Sequence, residues 1–209
     1  MTGFLIDEAA GKTRATLLLA HGAGAPMDSD FMNMLAAALA RQGVRVLRFE
    51  FPYMVERRRS GTKKPPDRTP VLLQAFAAAL DQAGAESVFI GGKSMGGRMA
   101  TMLAVERRCR GVVCFGYPFH PPGKPEKTRL DHLPAMQAPL LICQGERDPF
   151  GRREEVLGYN LPAACTLHWI EQGDHDFRAP VRTGLLQNQQ IKSAALATSK
   201  WFSHHNGQQ

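Results

Sequence analysis

No stretch of this chain approaches the roughly 20 consecutive apolar residues that a membrane helix requires; the longest apolar runs are strand-sized. The first 14 residues carry Asp7 and Glu8 and lack the apolar stretch and cleavage site of a signal peptide, so a soluble cytoplasmic protein is expected. The four cysteines, Cys109, Cys114, Cys143 and Cys165, form no C-x-x-C pair. They read as reduced core thiols, with a contact between Cys114 and Cys143 on neighbouring strands left open. No Cys/His cluster has metal-ligand spacing, so neither a metal nor an organic cofactor is expected. Internal repeats and low-complexity tracts are absent as well.

What is present is ordinary globular composition. In 209 residues, 44% are hydrophobic and 22% charged, enough to bury one sizeable core, and a single domain over residues 1–209 is expected. The formal net charge of +7 raises the question of an acidic partner. Its distribution is local: Arg57, Arg58, Arg59, Lys63, Lys64 and Arg68 stand against only Glu56 and Asp67 in residues 56–68. Without an interleaved aromatic platform or a recognisable binding motif, this stretch argues weakly for nucleic acid. Its position after a strand makes an anionic substrate the better expectation.

Apolar runs at 16–20, 44–49, 87–91, 111–115, 140–144 and 166–170 alternate with segments of helical periodicity at 31–42, 70–82, 94–107 and 184–203. Alternation of this kind predicts an α/β fold with a mostly parallel sheet of six to seven strands and helices on both faces. Residues 53–70 and 116–137, rich in proline and glycine, read as long connections, and neither has room for a large cap domain.

The string Gly91-Gly92-Lys93-Ser94-Met95-Gly96-Gly97-Arg98 follows the run at 87–91 and opens a helical segment, which is the context of a nucleophile elbow. A phosphate-binding loop ending in Gly92-Lys93-Ser94 is excluded by spacing, since it requires glycine where Ser87 stands. G-x-S-x-G alone is weak evidence, so the partners decide. After the run at 140–144 comes Asp148, with Glu146 as a rival two residues earlier, and after 166–170 comes His175. The order Ser, Asp, His, with each residue at a strand's C-terminal end, lets Ser94, Asp148 and His175 converge. Asp174 and Asp176, tethered beside His175, are better placed to tune it than to orient its ring. The backbone amides of Met95 and Ala23, with Gly24 as alternate, are the expected oxyanion donors. His21 reads as structural, whereas His120 and Lys124, beyond the run at 111–115, are candidates for the substrate pocket.

On these motifs residues 14–203 resemble the α/β-hydrolase superfamily. Phe49-Glu50-Phe51-Pro52-Tyr53, the segment from Gly92 to Arg98, the segment from Gly116 to Lys124, and Asp148-Pro149-Phe150-Gly151 resemble a compact bacterial branch. That branch is similar to dienelactone-hydrolase-like proteins and to the hydrolase-like domain of a eukaryotic chromatin-complex subunit. The resemblance implies a Ser–His–Asp triad at Ser94, His175 and Asp148 and leaves the substrate undefined. The expected function is cleavage of a small ester, thioester or related acyl bond by a serine hydrolase of carboxylesterase or thioesterase type. The alternative is a non-catalytic interaction module on the same fold. Oligomeric state is not legible.

Overall fold

The computed structural model describes residues 3–206. Seven strands form one sheet: β1 (Leu5–Asp7), β2 (Ala15–Ala20), β3 (Val44–Phe49), β4 (Phe89–Lys93), β5 (Val112–Phe115), β6 (Leu140–Gly145) and β7 (Cys165–Ile170). Their order is β1-β3-β2-β4-β5-β6-β7, with β1 antiparallel to β3 and every other pair parallel. Successive strand residues point to opposite faces, and both faces are covered. Leu18, Ile90, Cys114 and Ile142 pack under α3 (Thr69–Ala83) and α4 (Met95–Glu106) through Leu72, Phe76, Met99 and Leu103. Leu17, Leu19, Phe89, Val113 and Leu141 pack under α1 (Asp30–Arg41) and α6 (Gln187–Asn206) through Leu35, Leu39, Ile191 and Phe202. Each side chain of this size, fully buried, stabilises the fold by about 1.5–3 kcal/mol.

The connectivity positions the site. The chain leaves β2 into α1 on one face and leaves the adjacent β4 into α4 on the other, so the loops after these strands diverge. A crevice opens between them at the C-terminal edge of the sheet. The mostly parallel sheet of six to seven strands, with helices on both faces and no large cap, agrees with the sequence reading.

Three local readings are corrected. The run expected at 87–91 lies two residues later, because Gly84 (φ 86°) and a 3-10 turn at Ala85–Ser87 precede it. The connection at 53–70 begins with a helix, α2 (Pro52–Ser60), which opens on proline and closes on Gly61 at φ 66°. Much of its charge is internally paired: Arg58 with Glu50 and Asp28, Arg59 with Glu56 at 2.8 Å, and Lys64 with Glu56 at 3.7 Å. Cys114 and Cys143 belong to cores on opposite faces of the sheet, so the contact left open between them is not made. A fifth short helix, α5 (Arg153–Leu157), follows β6. Among the described residues no helix is long and apolar enough to cross a membrane.

Two histidines, His21 buried and His132 half-buried, brace the loops. The Phe51 N–H donates to His21 Nε2 at 3.1 Å, so that nitrogen is unprotonated, and Nδ1–H donates to the Gly22 carbonyl at 2.7 Å. Burial accordingly holds the His21 pKa below its ordinary 6.5. His132 is pushed down to about 4, first by burial and then by the nearby Arg98. Because the unfolded chain binds these protons more readily, the stability contributed by the neutral rings is complete above about pH 6.5 and is lost as pH falls toward 4. Urea midpoints are therefore expected to fall between pH 7 and pH 5, with a smaller fall in His132→Gln; a midpoint constant over that interval contradicts the buried neutral rings.

Candidate active site

Ser94 joins β4 to α4 in a conformation of φ 51° and ψ −113°, which non-glycine residues rarely adopt. The turn closes only because its flanking residues have no side chains. A Cβ on Gly92 would lie 2.5 Å from a Gly96 backbone carbon, and one on Gly96 would lie 2.6 Å from the His21 carbonyl oxygen. The Ser94 N–H donates to the Phe115 carbonyl at 3.1 Å, tying the elbow to the end of β5. The hydroxyl is thus held at the crevice rim.

His175 and Asp148 converge on it from the loops after β7 and β6. Ser94 Oγ lies 2.8 Å from His175 Nε2, and His175 Nδ1 lies 2.7 Å from Asp148 Oδ2. With the serine proton donated to Nε2, the tautomer that satisfies both contacts carries its proton on Nδ1. Asp148 is fully buried, and its oxygens also accept from Gln144 Nε2 at 3.0 Å and the Phe150 N–H at 2.8 Å. The Phe150 ring lies over the imidazole with centroids 4.4 Å apart. On another side, a Cβ at Gly116, where φ is 70°, would come within 3.2 Å of His175 Nδ1. The ring is confined on several sides, yet 19% of the side chain faces solvent.

Sequence reasoning missed two residues of this arrangement. Gln144, buried in β6, accepts from the Tyr117 N–H at 2.8 Å and donates to Asp148 and to the Gly151 carbonyl at 3.1 Å. A polar side chain inside the run Leu-Leu-Ile-Cys-Gln was its signal. The second is Lys93, 6% exposed, whose Nζ lies 3.3 Å from Asp176 Oδ1 and 5.3 Å from the Phe31 ring centroid. The residue before Ser94 is thereby tied to the residue after His175. Burial lowers the Lys93 pKa, while Asp176, Asp148 and Asp174 oppose that shift.

The remaining candidates divide clearly. Glu146 pairs with Arg153 and accepts the Gln172 N–H at 2.9 Å, so it braces the turn and leaves His175 to Asp148. Asp174 Oδ1 accepts the N–H groups of Asp176 and Arg178 at 2.9 and 2.8 Å, which shapes the histidine loop. Met95 begins α4 beside Ser94, and a Cβ on Gly22 would lie 3.8 Å from the Ser94 Cβ, so the loop bearing Ala23 and Gly24 borders the hydroxyl. Tyr53 OH fixes that loop by donating to the Ala23 carbonyl at 2.9 Å. His120, expected as a pocket wall, is instead 1% exposed, with Nδ1 2.8 Å from the Pro121 carbonyl and Nε2 3.2 Å from Glu155. It joins the connection after β5 to α5, while Lys124 lies exposed on that connection.

Among solved structures, the chain is similar to an alpha-beta serine hydrolase homologue from Coxiella burnetii at 16% identity and a TM-score of 0.69. That match covers 93% of this chain and 90% of the other. It is similar to a dienelactone hydrolase from Anabaena variabilis at 23% identity and a TM-score of 0.67, covering 95% and 89%. It also resembles a lidless a/b serine hydrolase family member from Xanthomonas campestris at 16% identity and 0.66, covering 96% and 85%. At these identities the likeness speaks for the fold. The alpha/beta hydrolase domain family model matches residues 13–203, and the chain belongs to that family.

Proposed function

We propose that this protein is a serine hydrolase that cleaves a small ester or thioester through an acyl-enzyme on Ser94. The observation that carries the reading is the unbroken hydrogen-bonded line from Asp148 through His175 to Ser94 at the crevice. In the first step Ser94 Oγ bonds to the substrate carbonyl carbon, its proton passes to His175 Nε2, and the carbonyl electron pair moves onto oxygen. Amides of Met95 and Ala23, with Gly24 as alternate, hold that oxyanion; the contact between Gly22 and the elbow supports this role for the loop. As the intermediate collapses, the C–O or C–S bond breaks and the Nε2 proton goes to the leaving group. Water then repeats the sequence on the acyl-enzyme, releasing the acid and restoring Ser94. The Asp148 carboxylate orients the ring and stabilises the imidazolium formed in each half. Only residues 116–139 connect β5 to β6, which favours an open cleft and small or protruding acyl groups.

A fluorophosphonate probe is expected to label the wild type and not Ser94→Ala. Turnover of a nitrophenyl ester should fall by roughly a thousandfold or more in Ser94→Ala and in His175→Ala, and less in Asp148→Asn. The double variant Ser94→Ala/His175→Ala should be no slower than either single one, because the residues act as a unit. Absence of serine-specific labelling and of ester turnover would overturn the reading and favour a binding module on the same fold.

Lys93 supplies a second test. Its ammonium pairs with Asp176 Oδ1 at 3.3 Å and so ties the loop of His175 to the elbow. Lys93→Met is expected to lower kcat for the nitrophenyl ester by roughly tenfold with KM little changed, because a small misplacement of the base is costly. Lys93→Arg should retain more of the activity, and an unchanged kcat in Lys93→Met contradicts the tie.

A further inference from the structure

Arg98 on α4 and Arg129 on the connection after β5 are half-buried cations. Arg98 sits one turn into α4; its Nε is enclosed and makes no hydrogen bond within the protein. Arg129, on the connection, has its pKa lowered first by burial and then by the Arg98 charge, which places the two guanidiniums in mutual repulsion. Among the described residues neither guanidinium forms an ion pair, in contrast to Arg58 and Arg59 on α2. The polar groups around them are already engaged. Thr101 Oγ1 donates to the Arg98 carbonyl and lies 2.8 Å from His132 Nε2, and Tyr117 OH donates to the Arg129 carbonyl at 2.8 Å. Asp131 is exposed, and its attraction acts on His132.

Two half-buried guanidiniums that feel each other's charge without an ion-paired carboxylate are relieved by a bound anion, and their planar forks match the paired oxygens of a carboxylate or phosphate. Their position relates them to Ser94. Met95, Arg98 and Met102 form the half-buried stripe of α4, while Gly96, Gly97, Met99 and Ala100 are buried. Four residues of helix rise about 6 Å, so Arg98 stands about one helical turn from the nucleophile.

We propose that Arg98 and Arg129 form an anion subsite that takes the carboxylate or phosphate of a substrate tail while the scissile carbonyl lies at Ser94. The proposal deepens the hydrolase reading and rests on it for the placement of the carbonyl. It relocates the expected anionic preference from the basic stretch at 56–68, where Arg58, Arg59 and Lys64 are paired internally, to cations beside the elbow.

The test compares wild type with Arg98→Gln and Arg129→Gln, each shown by thermal melting to be folded. Two nitrophenyl esters are used, the succinate monoester with a free carboxylate and the neutral butyrate. The ratio of kcat/KM for succinate over butyrate is expected to fall about tenfold in each variant, carried by KM. Calorimetric titration with free succinate and with inorganic phosphate reads the subsite independently of turnover and distinguishes a carboxylate tail from a phosphate one. If neither ester is cleaved but one anion binds wild type and not Arg98→Gln, the subsite stands and the hydrolase reading fails. If the ester ratio is unchanged in both variants and neither anion binds wild type, the subsite is overturned while the hydrolase reading stands. Should one variant fail to fold, the other carries the comparison, since Arg98 and Arg129 come from separate elements.

Discussion

The backbone of Ser94 is the constraint on which the site depends. A non-glycine residue held at φ 51° and ψ −113° costs on the order of 1–3 kcal/mol, and it persists only where its surroundings leave no alternative. Those surroundings are backbone. Gly92 lies against Gly96, Gly97 and the Ala20 carbonyl, and Gly96 lies against the carbonyls of Ala20 and His21, all closer than any side chain permits. The end of β2 is thus pressed against the first turn of α4. The same close packing that strains Ser94 also draws the loop after β2 to its side, so the hydroxyl and the loop bearing Ala23 are positioned by one set of contacts.

The histidine is held by a different means. Its loop comes from β7, the edge strand three places from β4, and the ties across that distance are polar. Gln144 fixes both Asp148 and the Tyr117 backbone, so the carboxylate is held by β6 and by the start of the connection after β5 together. Asp148 is fully buried, yet its oxygens accept from Gln144 and the Phe150 N–H and contact the His175 ring, which offsets the cost of removing it from water. Lys93 closes the remaining gap by pairing with Asp176 across the crevice floor, next to Phe31 of α1. Each tie restrains the carboxylate or the loop that carries the imidazole. In a site where a misplacement of about 1 Å costs on the order of a hundredfold in rate, that restraint matters more than the stability it adds.

Ser94, Asp148 and His175 were legible because each follows a strand whose apolar run is visible, and parallel topology places every such position on one edge. The seven-strand count was nearly legible; β1 escaped because three largely exposed residues carry no alternation to detect. α2 escaped because its composition is charged and its periodicity absent, leaving only Pro52 and Gly61 as punctuation. Gln144 and Lys93 were passed over for a common reason. A polar residue within or at the end of an apolar strand acquires meaning only when its partner, distant in sequence, is known. His120 shows the converse: position beyond a strand suggested the pocket, but its ring is enclosed by Glu155 and its own following carbonyl.

Charge followed the same logic, since a count of cations in sequence does not say which of them are already paired. Arg57, Arg58 and Arg59 form the densest basic run, yet Arg58 bridges Glu50 and Asp28, and Arg59 is held by Glu56. Arg98 sits in a string of glycine, methionine and alanine and attracts no attention as a charge, but among the described residues it forms no ion pair and its Nε has no hydrogen-bond partner. The helix that carries Arg98 is the helix whose first turn strains Ser94. The strained serine and the half-buried stripe of Met95, Arg98 and Met102 are therefore built on one rigid element, and the distance between them is fixed by helix rise. Side chains on the outer stripe of α4 are free of that packing and can vary without disturbing the elbow, while Gly96 and Gly97 beneath it are held by backbone contacts that admit no Cβ.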